Sequence, residues 1–217
     1  SKPIGTIRNH LVFRKCLYIL VLPIILYSCI GKPTGDITFS DLAPKLEPDY
    51  SEVTIPSNIA PLNFRVNETG SSYFVKFSSV AGPEIEVYSK SGKILIPEKS
   101  WRKMVQNNIG KEFKVEVYSM DENDKWTKYK TFSNRIASEP IDPYLYYRLL
   151  YPGYESWAEL SINRRNLESF KAQSVIENSV VDENCVNCHS FNNGKTDDFL
   201  FHMRGTLGGT YFYSKGD

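Results

Sequence analysis

The sequence predicts a mainly β protein with some α structure: a two-sheet antiparallel sandwich followed by a small, mostly helical segment. Three observations predict it. Residues 62 to 132 alternate apolar and polar with a period of two, turn residues punctuate the runs, and a Cys-x-x-Cys-His cluster near the end presupposes one turn of helix.

The front of the chain reads as an export signal over residues 1–28. Arg8, Arg14 and Lys15 precede an apolar run of 11 residues, Cys16 to Leu26. That is too short for a membrane span, which needs about 20 apolar residues, but it suits a signal-peptide core. Leu26-Tyr27-Ser28-Cys29 closes the run and resembles a bacterial lipobox. The resemblance implies that Cys29 becomes the first mature residue and is the site of lipid attachment, with two or three acyl chains holding the protein on a bilayer. A plain signal peptide or an uncleaved anchor helix are the alternatives. The expected location is the bacterial cell envelope, lipid-anchored at the periplasmic or outer-membrane face.

Cleavage leaves 189 residues and removes Lys2, Arg8, Arg14 and Lys15, so 22 basic residues face 25 acidic ones. A formal charge of about minus three argues against a nucleic-acid surface. Residues 29–58 hold Pro33, Pro44, Pro48 and Pro56, with Pro61 just beyond, and read as a flexible tether.

Residues 59–138 form the predicted sandwich domain. LNFRV (62–66), SYFVKFSSV (72–80), EIEVYSK (84–90) and KILIP (93–97) read as strands, with Tyr73, Val75 and Phe77 on one face of the second. Trp101, Met104 and Val105 at helical spacing predict one short helix after Pro97. KEFKVEVYSMDE and KWTKYKTFSNRIA supply a further hairpin around the polar turn 121–124. The pattern resembles an immunoglobulin-like or fibronectin type III sandwich. It holds no catalytic constellation and no glycine-rich phosphate loop, so no enzyme is expected.

Residues 139–180 form an aromatic, proline-rich connector and a polar helix. Tyr144, Tyr146, Tyr147, Tyr151, Tyr154 and Trp157 make a belt that either shields a flat cofactor, docks a partner or packs domains together. NRRNLESFKAQSVIEN, residues 163–178, is the predicted helix.

Residues 181–217 hold the cluster. Cys185, Cys188 and His189 form the pattern for covalent attachment of one haem c. On a helical turn, positions i and i+3 place two thiols beneath the vinyl groups, and the residue at i+4 reaches the iron as proximal ligand. Asp182, Glu183 and Asn184 suit the cap of such a helix. With Cys16 discarded and Cys29 lipidated, Cys185 and Cys188 have no other cysteine to pair with. A thioredoxin-like pair lacks its βαβ frame, a zinc site would need Cys185, Cys188, His202 and a fourth ligand, and a disulfide between the two would close a very short loop. His202 and Met203, 13 and 14 residues after His189, are the candidate sixth ligands. If their segment is extended, only one of them faces the iron. Met203 shares a strand face with Phe199 and Phe201, and methionine opposite histidine raises the reduction potential.

The stretches IPSNIAPLNF, DPYLYYRLLYPGY, CVNCHSF and FHMRGTLGGTYF resemble the N-terminal part of bacterial exported TolB-like, cytochrome c-type lipoproteins. The resemblance implies Cys29 as the lipidated cysteine, Cys185 and Cys188 as the haem-linking pair, His189 as proximal ligand, and a C-terminal β-propeller. The sequence stops at Asp217, before blade repeats would begin, and shows no internal repeat of about 40 residues. The expected function is a lipid-anchored c-type cytochrome-like carrier that passes electrons to an envelope redox partner, or tunes that partner. The alternative is an envelope binding or assembly module for a glycan or protein, with a structural haem or a simple Cys-x-x-Cys disulfide. A peroxide- or gas-responsive haem is a third option.

Overall fold

A computed structural model describes residues 31–152, 159–180, 185–193 and 195–214. Cys16, Cys29, Tyr154, Trp157 and the expected cap residues Asp182 to Asn184 lie outside the described residues.

Residues 37–136 build two facing sheets. The smaller contains β2 (Leu46–Glu47), β4 (Phe64–Val66) and β7 (Lys93–Ile94). The larger runs from β6 (Ile85–Ser89) through β5 (Ser72–Ser79) to β8 (Glu112–Met120). On the far side of β8, β9 (Trp126–Lys128) pairs with its last residues and β10 (Phe132–Ile136) with its first. β1 (Ile37–Phe39) and β3 (Thr54–Ile55) extend these in parallel, β1 on β9 and β3 on β10.

Alternation along each strand explains the core. Tyr73, Val75 and Phe77 of β5 and Phe113, Val115 and Val117 of β8 point to one side, where they meet Phe64, Val66 and Ile94 of the smaller sheet. Burying each such side chain contributes about 1.5–3 kcal/mol. Their neighbours Phe74 and Tyr118 point outward and are covered by Trp126 and Ile37. Lys76 pairs with Glu84 at 2.8 Å, and Lys128 pairs with Glu116, on the same outer surface.

The helix α1 (Glu98–Asn107) caps one end of the core. Trp101, Met104 and Val105 sit on its buried stripe. The Trp101 ring meets Phe113 edge-on at 5.7 Å and Phe77 at 6.4 Å, and its Nε1–H donates to the Ile59 carbonyl at 3.0 Å. At the helix end Asn108 is fully buried. Its amide donates to the carbonyls of Met104 and Ala81 and to Ser79 Oγ, and its Oδ1 accepts from the Ala81 N–H.

The stretch expected to act as a spacer contributes β1, β2 and β3 and is laid along the sheets. Ser40 N–H donates to Lys128 O at 2.8 Å, Lys130 N–H donates to Leu42 O at 3.0 Å, and Arg135 N–H donates to Val53 O at 3.0 Å.

Beyond residue 140 the expectation of helices is overturned. α1 is the one α-helix among the described residues, and no helical haem segment is present. Residues 144–177 form an antiparallel meander of β11 (Tyr144–Leu149), β12 (Ser161–Asn166) and β13 (Ala172–Glu177). The predicted polar helix over 163–178 is broken in its middle, because Asn166 Oδ1 accepts from Glu168 N–H at 2.9 Å and from Ser169 Oγ at 3.1 Å. Such local side-chain bonds stabilise a turn at the expense of helix. A 3-10 turn at Asn178–Val180 leads to a second meander of β14 (Cys185–Asn192), β15 (Lys195–Arg204) and β16 (Gly209–Ser214).

The two meanders share a small core. Ile162 and Ile176 pack against Val186, Phe201 and Met203, and Tyr146 meets Phe191 at 5.0 Å and Phe199 at 5.9 Å. Asn178 Oδ1 accepts from the Val186 N–H at 2.7 Å and so ties the first meander to the cysteine strand. This gives two of the expected belt's rings a packing role: Tyr146 lies between the meanders, and Tyr144 lies under the Arg164 guanidinium at 5.0 Å.

Candidate functional site

Cys185, Cys188 and His189 lie on β14, an edge strand of the second meander. The register across to β15 fixes where their side chains point. Val186 stands opposite Met203 and His189 opposite Phe201, so two residues, Asn187 and Cys188, face the single residue His202. This is a β-bulge. In a regular strand, residues three apart point to opposite faces. The extra residue restores the match, so Cys185 and Cys188 share one face.

That face is the outer one. Cys185 stands opposite Arg204 and is half-buried, Cys188 is exposed, and both thiols are free. Across the strands the same face shows His202 beside Thr210 and Leu200 beside Phe212. His202 Nδ1 lies 3.2 Å from Thr210 Oγ1. Leu200 and Phe212 are 44% and 61% exposed. With Ser190 and Asn192 they edge an open cleft of about 230 Å³.

The inner face carries Val186, His189 and Phe191 against Met203, Phe201 and Phe199. Tyr211 and Tyr213 of β16 continue it, at 5.3 Å from Phe201 and 5.1 Å from Phe199. The His189 imidazole meets the Phe191 ring at 5.6 Å. Burial, helped by the nearby Arg148, lowers its pKa below the ordinary 6.5 and keeps the ring neutral at pH 7.

The expectation that His189 reaches a porphyrin from beside the two sulfurs rested on a helical turn. On the bulged strand its ring points the other way. His202 and Met203 are adjacent on an extended strand and face opposite sides. Met203, 8% exposed and packed on Ile162 and Val186, belongs to the inner core, whereas His202 is the imidazole on the thiol face.

The other chemistries are also constrained. Three steps of extended chain cover roughly 10 Å, somewhat less through a bulge, against a limit of about 7 Å between Cα atoms for a disulfide. Joining Cys185 to Cys188 therefore requires β14 to leave its strand. Among the described residues no three His, Cys, Asp or Glu side chains converge on a site the size of a metal ion. A porphyrin is far wider than an ion, and the outer face matches its needs in donor chemistry: two free thiols, an imidazole and an exposed apolar strip. The signal for the strand was present in the sequence as Asn192-Asn193-Gly194 between alternating runs, a hairpin cue, and Asn193 takes the left-handed φ of 48°.

No protein-family model and no curated protein matches the chain.

Proposed function

We propose that this chain is a lipid-anchored envelope protein of c-type cytochrome character, linking one haem through Cys185 and Cys188. It passes single electrons to a partner in the envelope or tunes that partner's redox state. The observation that carries the reading is the bulge: it sets both free thiols on one open face, together with the His202 imidazole and the Leu200–Phe212 strip. The haem, when bound, supplies the one-electron couple. The chain's own residues do the rest. Cys185 and Cys188 would hold the macrocycle, Leu200 and Phe212 offer apolar surface on the same face, and His202 is the imidazole on that side. His189 and Met203 brace the sheet from behind.

The test is the visible spectrum of the full chain made in a host with haem-maturation machinery. Sharp reduced-state bands that survive acid-acetone extraction are expected. They should be lost in Cys185→Ala/Cys188→Ala and shifted in His202→Ala. Bands unaltered by His202→Ala but shifted by His189→Ala would return the proximal role to His189 and show that β14 changes conformation on loading. A colourless wild type would end the cytochrome reading. The exposed Leu200 and Phe212 would then support an envelope binding module that takes a protein ligand on the same face.

A further inference from the structure

The segment just after Cys29 is strapped down. Gly31 lies beneath the Tyr88 ring with φ of +137°, and a Cβ there would fall 2.9 Å from the ring carbon Cγ. Only glycine suits both the backbone angle and the close approach. Lys32 Nζ binds Glu86 of the edge strand β6 at 2.5 Å. The chain then crosses the outer surface of the larger sheet, sinks Ile37 among Phe74, Tyr118 and Trp126, and joins β9 as the parallel strand β1.

This strap fixes where a membrane anchor emerges. Cys29 precedes Gly31 by two residues, which span at most about 7 Å. Tyr88 is level with Phe74 and Tyr118, near the end of the sandwich marked by Ser72, Ser89 and Met120. The meanders hang from the other end. There Ile136 N–H donates to Lys111 O, Ala60 N–H donates to Leu167 O at 2.8 Å, and Trp101 donates to Ile59 O. Asn58 bridges the junction, with its amide 2.9 Å from both Ile141 O and Glu168 Oε1 and its Oδ1 accepting from Ile141 N–H. Six residue steps along β8, Tyr118 back to Glu112, separate the two ends by roughly 20 Å.

We infer that the Ser72–Met120 end of the sandwich seats on the phospholipid bilayer with no slack in its leash, holding the cysteine strand away from the membrane. The inference rests on the lipid anchor at Cys29. The partner of the thiol face is then met in the aqueous envelope and not within the bilayer.

The test uses the full, lipid-processed chain made in a host without haem-maturation machinery, so that its thiols stay free, in phosphatidylethanolamine–phosphatidylglycerol vesicles doped with a headgroup energy acceptor. One sample is labelled at Cys188 in a Cys185→Ser background. Another is labelled at Lys90→Cys, on the exposed residue after β6, with both native thiols changed to serine. Flotation with the vesicles is measured first. The expected result is flotation of both, with the Lys90→Cys label quenched several-fold more than the Cys188 label. A ten-residue Gly-Ser insertion after Ile30, which leaves the strap intact, should reduce quenching at Lys90→Cys. Equal quenching at the two positions, or no effect of the insertion, overturns the leash while leaving the anchor in place. Failure to float overturns the anchor and the leash together.

Discussion

His189 shows how one residue's environment differs from its motif. Its ring is half-buried against Phe191 with Arg148 nearby, and both influences disfavour the imidazolium. In the haem-free chain the consequence has a definite sign. The unfolded chain takes up a proton near the ordinary pKa of 6.5, while the folded chain resists until lower pH. The full contribution is therefore present above about pH 6.5 and is lost as pH falls through the folded-state value. Thermal midpoints of the wild type and His189→Phe should run parallel above pH 6.5 and diverge below it, the wild type falling faster. Parallel curves down to pH 5 would contradict the burial argument. Asn108 makes a second case. Its side chain satisfies four polar partners inside the fold, so Asn108→Ala should destabilise by about 3 kcal/mol, read by denaturant unfolding, because buried groups left unpaired cost about 1–3 kcal/mol each.

Trp101 is 1% exposed and edge-packed on Phe77 and Phe113, so Trp101→Ala should cost about 4 kcal/mol by chemical denaturation. Ile162 is fully buried beneath Val186 and Met203. In the haem-free chain, Ile162→Ala should loosen β14 and speed maleimide labelling of the half-buried Cys185, with little effect on the already exposed Cys188. Equal acceleration at both thiols would mean that the whole meander opens instead.

The strands between residues 62 and 136 were legible because period-two alternation and turn residues agreed there, and α1 because Trp101, Met104 and Val105 recur at helical spacing. The meanders were misread for two physical reasons. Polar faces on β12 and β13 blur alternation, and the Asn166 turn that divides them depends on side-chain bonds invisible to periodicity. The Cys-x-x-Cys-His spacing also invites a helical turn, whereas cross-strand pairing with Phe199 to Met203, set by long-range contacts, makes it a bulged strand. The candidate thiols could be named from sequence alone. Which imidazole shares their face could not, because one inserted residue in the register decides it.

At the scale of the molecule, the strap lies at one end and the meanders at the other, so the lipid anchor proposed at Cys29 would sit apart from the thiol face. The sandwich stands between the two, with Asn58 hydrogen-bonded across to the meander side, and the segment expected to be a loose tether is laid along the sheets. The account depends most on what the two sulfurs carry. The most direct test is the intact mass, under denaturing conditions, of the full chain from a haem-maturing host, beside its Cys185→Ser/Cys188→Ser variant. The account predicts a wild type heavier by one haem and a variant without the gain. A wild type at the mass of its lipidated polypeptide alone would contradict it.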